Sequence, residues 1–122
     1  MPTVFIAHEL MKKHPDTGEL SVLYDTGKAE VFGARRVIFR HADMFRTPAE
    51  LIGSARDTLA DATAEDWLCF SGAPDLIVIA ALAMAERTGG VVNLLLWDRG
   101  KDGNGSYEPR RIDLRTQEKG RE

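Results

Sequence analysis

Polar side chains that could do acid–base chemistry stand close to the ends of two predicted strands. His8 follows a β-branched and aromatic run, and Asp98 follows a second apolar run. A histidine can exchange a proton near pH 7 and a carboxylate can orient it, so His8 and Asp98 are the candidates for a catalytic pair. No G-x-S-x-G sequence accompanies them. The sequence leaves catalysis open and favours a protein that is not an enzyme.

A second group of residues could bind a small anionic ligand. Ser71 and Gly72 form a turn that leads directly into a helix, which exposes unpaired N–H groups at the positive end of the helix dipole. Arg99 follows the next strand and adds a positive charge. Asp75 is expected to cap the helix, and its carboxylate would then occupy the place of the anion. These four residues are the predicted ligand site, and an ordinary strand-to-helix turn is the alternative.

Motifs for common cofactors and metal ions are absent from the sequence. No G-x-G-x-x-G follows any strand, and the TGK at residues 26–28 lacks the earlier glycine of a phosphate-binding loop, because position 22 is valine. The histidines occur singly, at His8, His14 and His41, whereas a metal site needs three or four convergent ligands. We therefore expect neither a cofactor nor a metal ion.

Length and composition limit the class of protein. The chain has 122 residues, of which 43% are apolar, and this suits one domain with one core. The net charge of −3, with acidic and basic residues interleaved, argues against nucleic-acid binding. The longest apolar run is half as long as a bilayer-spanning helix, so no membrane span is expected. A single cysteine, Cys69, and the absence of a secretory leader favour a cytoplasmic protein.

The elements that must position the candidate residues are best defined between Trp67 and Trp97. This segment is typical of a strand, a turn at Gly72, a helix over residues 75–88, a stop at two glycines and a second strand. Together these make a β-α-β crossover, which brings the carboxyl ends of parallel strands to one edge of the sheet. Ligands of open α/β sheets bind at that edge. The candidate residues are expected there.

Further strands complete the predicted sheet. Strands are expected at residues 3–7, in the interior of the sheet, at residues 35–40, and at residues 106–114, where Pro109 requires an edge position. Turn residues at 14–18 predict a surface hairpin. The predicted fold is α/β, with one domain over residues 1–114, a mostly parallel Rossmann-like sheet, helices on its faces and antiparallel hairpins at its edges. The charged tail at residues 115–122 is expected to be disordered.

Two helices have clear sequence signals for their ends. A short helix over residues 28–32 would close at Gly33 in the left-handed conformation. Thr47 is expected to cap a longer helix in which Pro48 is the first residue and Glu50 completes a capping box. The predicted apolar face of that longer helix consists of Leu51, Ile52, Ala55, Leu59 and Ala62.

The helix of the crossover has no polar face in its middle. Every residue from Leu76 to Ala85 is apolar, and a helix that is apolar all round is expected to be buried all round. A single chain of this size offers too little structure to cover it. We therefore expect a homo-oligomer that packs through this helix, and the alternative is that an alanine-rich surface is simply tolerated.

Four stretches of the chain resemble known sequences: YDTGKAEVFG, AEDWLCFSGAPDLIVIAALAMAERTGG, VVNLLLWDR and YEPRRIDL. Together they resemble a group of small uncharacterised proteins encoded by tailed bacteriophages and prophages. The resemblance spans nearly the whole chain, from Thr3 to Leu114. It implies a role in an infected bacterial cytoplasm, as an accessory or host-interaction protein.

Two classes of function follow from these observations. The first is a non-catalytic phage accessory protein that binds a host protein or sequesters a small, nucleotide-like ligand as a homo-oligomer. This class is favoured because the sequence is rich in core residues and poor in convergent chemistry. The alternative is a small nucleotide-handling hydrolase with a site at the carboxyl ends of the strands.

Overall fold

The computed structural model describes residues 2–101 and 103–116 of the chain. The strands are β1 (Thr3–Glu9), β2 (Met11–Lys13), β3 (Leu20–Val22), β4 (Ala34–Arg40), β5 (Trp67–Cys69), β6 (Val91–Asp98) and β7 (Ser106–Asp113). The α-helices are α1 (Pro48–Thr58) and α2 (Pro74–Thr88). Short 3-10 helices occupy Gly27–Phe32, His41–Phe45 and Leu114–Thr116.

The main sheet of the described residues has five strands in the order β4-β1-β5-β6-β7. Strands β4, β1, β5 and β6 are parallel, and β7 is antiparallel to β6. This confirms an α/β fold with a mostly parallel sheet, the first strand in the sheet interior and Pro109 on an edge strand. The predicted hairpin also forms, as β2 and β3, but it makes a separate two-stranded sheet and does not extend the main one.

Alternating side chains divide the core between the two faces of the sheet. Phe5 and Ala7 of β1 pack with residues of α1 and α2 on one face. Val4 and Ile6 pack on the other face, where the 3-10 helix Gly27–Phe32 contributes Ala29. Both α-helices therefore lie on the same face. The opposite face is covered by the 3-10 helix Gly27–Phe32.

Two local predictions are corrected by contacts that are distant in sequence. Strand β1 extends to Glu9, so His8 lies inside the strand and not after it. Gly33 does end a short helix, but its φ of 155° and ψ of 175° are not those of a left-handed helical residue. A Cβ at Gly33 would lie 2.1 Å from the carbonyl oxygen of Pro2. The close passage of the chain before β1 explains why glycine is required there.

Helix α1 begins as its sequence predicts. The hydroxyl of Thr47 accepts the N–H of Glu50, the Glu50 carboxylate accepts the N–H of Thr47, and Pro48 is the first helical residue. Leu51, Ala55, Leu59 and Ala62 are buried as expected. Ile52, which was expected in the core, is 38% exposed and points away from it.

Helix α2 begins one residue earlier than predicted, at Pro74, with Ala73 as its N-cap residue. No side chain caps it, so the expectation that Asp75 is the cap is wrong. Leu76, Ile77, Ala80, Ala83 and Met84 are buried against the sheet and α1. Val78 and Leu82 are 55% and 66% exposed. A single chain therefore does not cover α2 on all sides.

The end of the described chain is ordered by local bonds. Leu114–Thr116 forms a 3-10 helix, and the guanidinium of Arg115 donates two hydrogen bonds to Asp113. The disordered tail at residues 115–122 stays a prediction, and residues 117–122 lie outside the described residues. Within the part of the chain that the structure describes, no helix is long and apolar enough to cross a bilayer.

Candidate functional site

A cleft of about 540 Å³ opens at the carboxyl edge of the parallel strands. Phe70, Ser71 and Gly72 follow β5 and form one wall, and Trp97 near the end of β6 forms another. The segment before and within the 3-10 helix Gly27–Phe32 and one residue each of β7 and α2 complete it. Sites for small molecules typically have volumes of roughly 300–1,000 Å³ and apolar linings with few polar groups. The cleft has this size and character.

Four aromatic side chains line the cleft, those of Tyr24, Phe70, Trp97 and Tyr107. The rings of Trp97 and Tyr107 meet edge to face, with centroids 5.0 Å apart and an interplanar angle of 70°. Both residues lie on neighbouring strands, where they pair directly across the β6–β7 ladder. Aromatic pairs of this geometry are favourable because the positive edge of one ring meets the negative face of the other. The two rings therefore fix each other's orientation.

Trp97 is also held from its other side. A Cβ at Gly105 would lie 2.0 Å from Cζ2 of the Trp97 ring, so the indole rests directly on the glycine backbone. The ammonium of Lys28 stands 5.6 Å from the centroid of the same ring and donates a hydrogen bond of 2.7 Å to the carbonyl oxygen of Gly105. A cation at this distance is attracted to the ring quadrupole. Trp97 is thus preorganised, yet 45% of its surface stays exposed.

Two charged side chains face the cleft, Lys28 and Asp25. The Asp25 Oδ1 atom accepts the N–H of Gly27 at 2.8 Å, which starts the 3-10 helix. Lys28 forms no ion pair within 4.0 Å among the described residues. The cleft therefore presents one cation and one carboxylate, each with hydrogen-bonding capacity left over.

The back of the cleft is closed by Tyr107, which is 9% exposed. Burial raises the pKa of its phenol, and a hydrogen bond with Cys69 raises it further. Burial likewise raises the pKa of the Cys69 thiol. Both groups are neutral near pH 7.

His8 is fully buried beside the turn that follows β5. Its Nδ1 accepts the N–H of Ala73 at 3.0 Å, and its backbone N–H donates to the Ser71 carbonyl at 3.0 Å. A Cβ at Gly72 would lie 2.2 Å from the Cβ of His8, so the turn packs directly on this side chain. Gly72 also has a φ of 107°, which L side chains rarely adopt. His8 thus holds the turn that forms one wall of the cleft.

The protonation of His8 follows from this environment. Burial lowers its pKa below the ordinary value of 6.5, and the peptide groups of Arg40 and His41 oppose that shift to a smaller extent. Because Nδ1 accepts a hydrogen bond, the neutral ring carries its proton on Nε2. Among the described residues Nε2 has no hydrogen-bond partner. His8 is therefore a neutral side chain at pH 7.

The structure separates the residues predicted from the sequence. Ser71 and Gly72 line the cleft, and Asp75 and Arg99 are exposed residues outside its lining. Asp98 is also exposed, and its Oδ1 accepts the N–H of Gly100. Strand β5 lies between the strands of His8 and Asp98, so these two residues are not brought together as neighbours. No group of three or more potential metal ligands occurs among the residues described.

Sequence reasoning missed the aromatic residues and the charges of the cleft. Phe70 and Trp97 stand at the ends of two parallel strands, and an aromatic side chain at such a position was a usable signal. Lys28 belongs to the TGK that does not form a phosphate-binding loop. It reaches the cleft through the 3-10 helix Gly27–Phe32, whose position depends on tertiary packing.

Comparisons with known proteins place the chain in a family. No curated protein and no solved structure matches it. A family model described as phage Pam3 gp32-like protein matches residues 2–114, which is nearly the whole chain. The match confirms the resemblance to small phage-encoded proteins. The chain belongs to the phage Pam3 gp32-like protein family.

Proposed function

We propose that this chain is a non-catalytic phage accessory protein that binds and sequesters a small planar ligand in the aromatic cleft. The observation that carries the proposal is the fixed position of Trp97, held by Gly105, Tyr107 and Lys28 while almost half of its surface remains exposed. A large aromatic surface that is already oriented loses little conformational entropy when it binds. A planar ring stacks on such a surface.

The surroundings of His8 favour binding over catalysis. A general base must reach the proton that it abstracts, directly or through one water. His8 is buried, and its Nδ1 is occupied by the N–H of Ala73. Asp98 lies outside the cleft lining. The residues that line the cleft are aromatic, aliphatic or small, apart from Lys28 and Asp25.

A titration against nucleotides, including cyclic oligonucleotides, tests the proposal through tryptophan fluorescence. Trp97 lines the cleft, whereas Trp67 packs against Phe32 at a ring distance of 5.2 Å, so binding should change the signal of Trp97. Phe70→Ala should weaken binding about tenfold, since one stacked aromatic contributes on the order of 1–3 kcal/mol. Phe45→Ala is the matched control, because Phe45 is 81% exposed and lies outside the cleft lining.

The fate of the ligand distinguishes sequestration from hydrolysis. After heat denaturation the bound compound should be recovered intact from the protein. Formation of a product would support the nucleotide-handling hydrolase instead. Absence of binding by every compound of the panel, or equal loss of binding in both phenylalanine variants, would contradict a site in the cleft.

We also propose that two copies of the chain associate through the outward side of α2. Most of the apolar run from Leu76 to Ala85 is buried within the chain, which leaves Val78 and Leu82 exposed, with Ile52 of α1 beside Leu82. Arg56 and Glu86 flank these residues and form a bidentate ion pair with distances of 2.8 Å. A surface that carries both charges is self-complementary across a two-fold axis.

Sedimentation at micromolar concentration tests this association. The wild-type chain should sediment as a dimer, and Leu82→Glu should sediment as a monomer because it places a charge in the apolar contact. Val31→Glu is the control, since Val31 is 83% exposed in the 3-10 helix on the other side of the sheet. A wild-type monomer, or a dimer that survives Leu82→Glu, would contradict the interface.

The setting of the function rests on the family. A phage accessory protein of this kind would act in the cytoplasm of the infected bacterium and would remove a host compound from solution. Binding of a host protein is the other accessory role that the sequence leaves open, and the exposed residues of α2 would serve it. Likeness to Rossmann folds stays a prediction, and the cleft is proposed on its own geometry.

A further inference from the structure

The charges of the cleft define which planar ligand it takes, provided that the cleft is a binding site as proposed above. Lys28 and Asp25 are the charged residues in its lining, and both precede β4 in the segment that carries the 3-10 helix Gly27–Phe32. One donor group and one acceptor group thus lie beside the same aromatic wall. A neutral hydrocarbon ring would leave the remaining hydrogen-bonding capacity of both groups unused.

Lys28 can bind an anion while it keeps its hydrogen bond to Gly105. An ammonium group has three N–H donors, and one of them is used by the Gly105 carbonyl at 2.7 Å. No carboxylate lies within 4.0 Å of it among the described residues. The ammonium lies over the Trp97 ring, 5.6 Å from its centroid, so an anion attached to a ring that stacks in the cleft would lie within reach of the remaining donors.

Asp25 supplies the complementary group. A carboxylate accepts about four hydrogen bonds, and the Gly27 N–H accounts for one of them, on Oδ1. Its charge also helps to raise the pKa of Tyr107, which places it close to the cleft aromatics. A carboxylate repels a second anion, but it accepts hydrogen bonds from hydroxyl groups. A sugar offers such hydroxyls.

We propose that the cleft binds a nucleoside monophosphate unit, with the base among the aromatic rings, the sugar hydroxyls on Asp25 and the phosphate on Lys28. The single cation opposite a single carboxylate matches one phosphate better than three. A triphosphate would bring several negative charges to a site that has one ammonium and one repelling carboxylate. The proposed ligand class is therefore nucleoside monophosphates and not planar compounds in general.

Calorimetric titration of the full chain with the four common nucleosides, their 5′-monophosphates and their triphosphates tests this inference. For at least one base the monophosphate should bind about tenfold more tightly than the nucleoside, the size of one charge-assisted hydrogen bond. The triphosphate should bind no more tightly than the monophosphate. Raising the salt concentration should weaken the binding of the monophosphate and leave the binding of the nucleoside unchanged.

Two variants assign the charges. Lys28→Met keeps the apolar stem and should lower the affinity for the monophosphate to that for the nucleoside, while Lys28→Arg should retain part of the difference. Asp25→Asn keeps an oxygen for the Gly27 N–H and should weaken binding of the nucleoside. It should weaken binding of the monophosphate by a smaller factor, because it also removes the charge that repels the phosphate. Lys12→Met, on exposed β2, is the control. Unchanged thermal melting of each variant shows that the cleft is still folded.

The outcomes separate this inference from the proposal on which it rests. Equal affinity for nucleoside and monophosphate would overturn the nucleotide assignment and leave a planar-ligand site in place. The nucleotide assignment would also be overturned if Lys28→Met weakened the binding of nucleoside and monophosphate equally, because the only role of Lys28 would then be to hold Trp97. Failure of every nucleoside and nucleotide to bind would overturn both proposals.

Discussion

Two glycines determine the walls of the cleft at the scale of single residues. Gly105 lets the Trp97 ring lie on the backbone of the β6–β7 turn, and Gly72 lets the turn after β5 pack on His8. In each case a Cβ would stand 2.2 Å or less from a side-chain atom of the neighbour. Neither contact could be anticipated from the sequence, because the partners are brought together only by strand pairing. The glycines are therefore sensitive positions.

Gly105→Ala should destabilise the fold by about 1–3 kcal/mol, the usual effect of forcing extra atoms into a packed contact. The indole of Trp97 should move, and its fluorescence emission should shift. Gly53→Ala is the matched control, because a Cβ there meets nothing within 4 Å and the residue lies inside α1. It should be neutral or stabilise the chain by up to about 1 kcal/mol. Equal denaturant midpoints for the two variants would contradict the contact.

His8 should make the stability of the chain depend on pH. Its pKa is lowered from 6.5 in the folded state, so the unfolded state binds more protons in the range below 6.5. The contribution of neutral His8 to the free energy of unfolding is fully present above pH 6.5 and is lost as the pH falls through and below that value. Thermal melting between pH 7.5 and 5.5 should therefore show a falling midpoint.

His8→Asn tests the assignment, since its side-chain oxygen can accept the Ala73 N–H but does not titrate. Its melting temperature should fall less between pH 7.5 and 5.5 than that of the wild type. His14→Asn is the control, because His14 lies in the exposed hairpin turn, and it should keep the wild-type slope. His41 and Asp43, which also act on His8, are present in all three proteins. A slope unchanged in His8→Asn would contradict a buried, neutral His8.

At the scale of elements, local signals fixed the ends of helices where no distant contact intervened. Thr47, Pro48 and Glu50 predicted the start of α1, and the pair of glycines predicted the end of α2, where Gly89 has a φ of 75°. Distant contacts explain the failures. The conformation of Gly33 is set by its close contact with Pro2. At the start of α2, which has no side-chain cap, the Ala73 N–H donates to the distant His8.

Thr47→Ala should lower the free energy of unfolding by about 0.5–2 kcal/mol, because it removes the acceptor of the Glu50 N–H. Thr58→Ala, at the last residue of the same helix, should change it by less than about 0.5 kcal/mol. Urea denaturation of both variants measures the difference. Equal losses would show that the capping box does not stabilise α1.

The candidate site was partly predictable at this scale. A strand, a glycine turn and a helix in succession indicated Ser71 and Gly72, and both line the cleft. Arg99, which was chosen because it follows the next strand, and Asp75, which was chosen as the helix cap, are not among the residues that line the cleft. Tyr24 and Lys28 belong to the segment that carries the 3-10 helix Gly27–Phe32, which packs on the face of the sheet opposite to the α-helices. The position of this segment beside the cleft depends on tertiary packing that no local sequence pattern encodes.

At the scale of the whole molecule, the two faces of the sheet are covered by different elements. One face carries α1, α2 and most of the core, and its outer side exposes Val78 and Leu82. The cleft lies at the carboxyl edge, near the smaller cluster of core residues on the opposite face. The proposed binding in the cleft and the proposed association through α2 would therefore use different surfaces, and we expect a mutation to remove either one without the other.

Ligand binding should stabilise the whole domain. A compound that binds only the folded chain adds about 2.7 kcal/mol at a concentration one hundred times its Kd. The melting temperature should therefore rise with the concentration of a nucleotide that binds, and Phe70→Ala should reduce the rise. Leu82→Glu should leave it intact. Loss of the rise in Leu82→Glu alone would show that the ligand site lies at the α2 surface.

The most direct test of the cleft is a chemical-shift map of the isotope-labelled chain during titration with nucleoside monophosphates. We predict that the shifts concentrate on the backbone N–H groups of Phe70, Ser71 and Gly72 and on the indole N–H of Trp97. The resonances of the N–H groups of Leu82 and Glu86, on the outward side of α2, should not move. The absence of any shift at saturating nucleotide, or shifts confined to the α2 surface, would contradict a ligand site in the aromatic cleft.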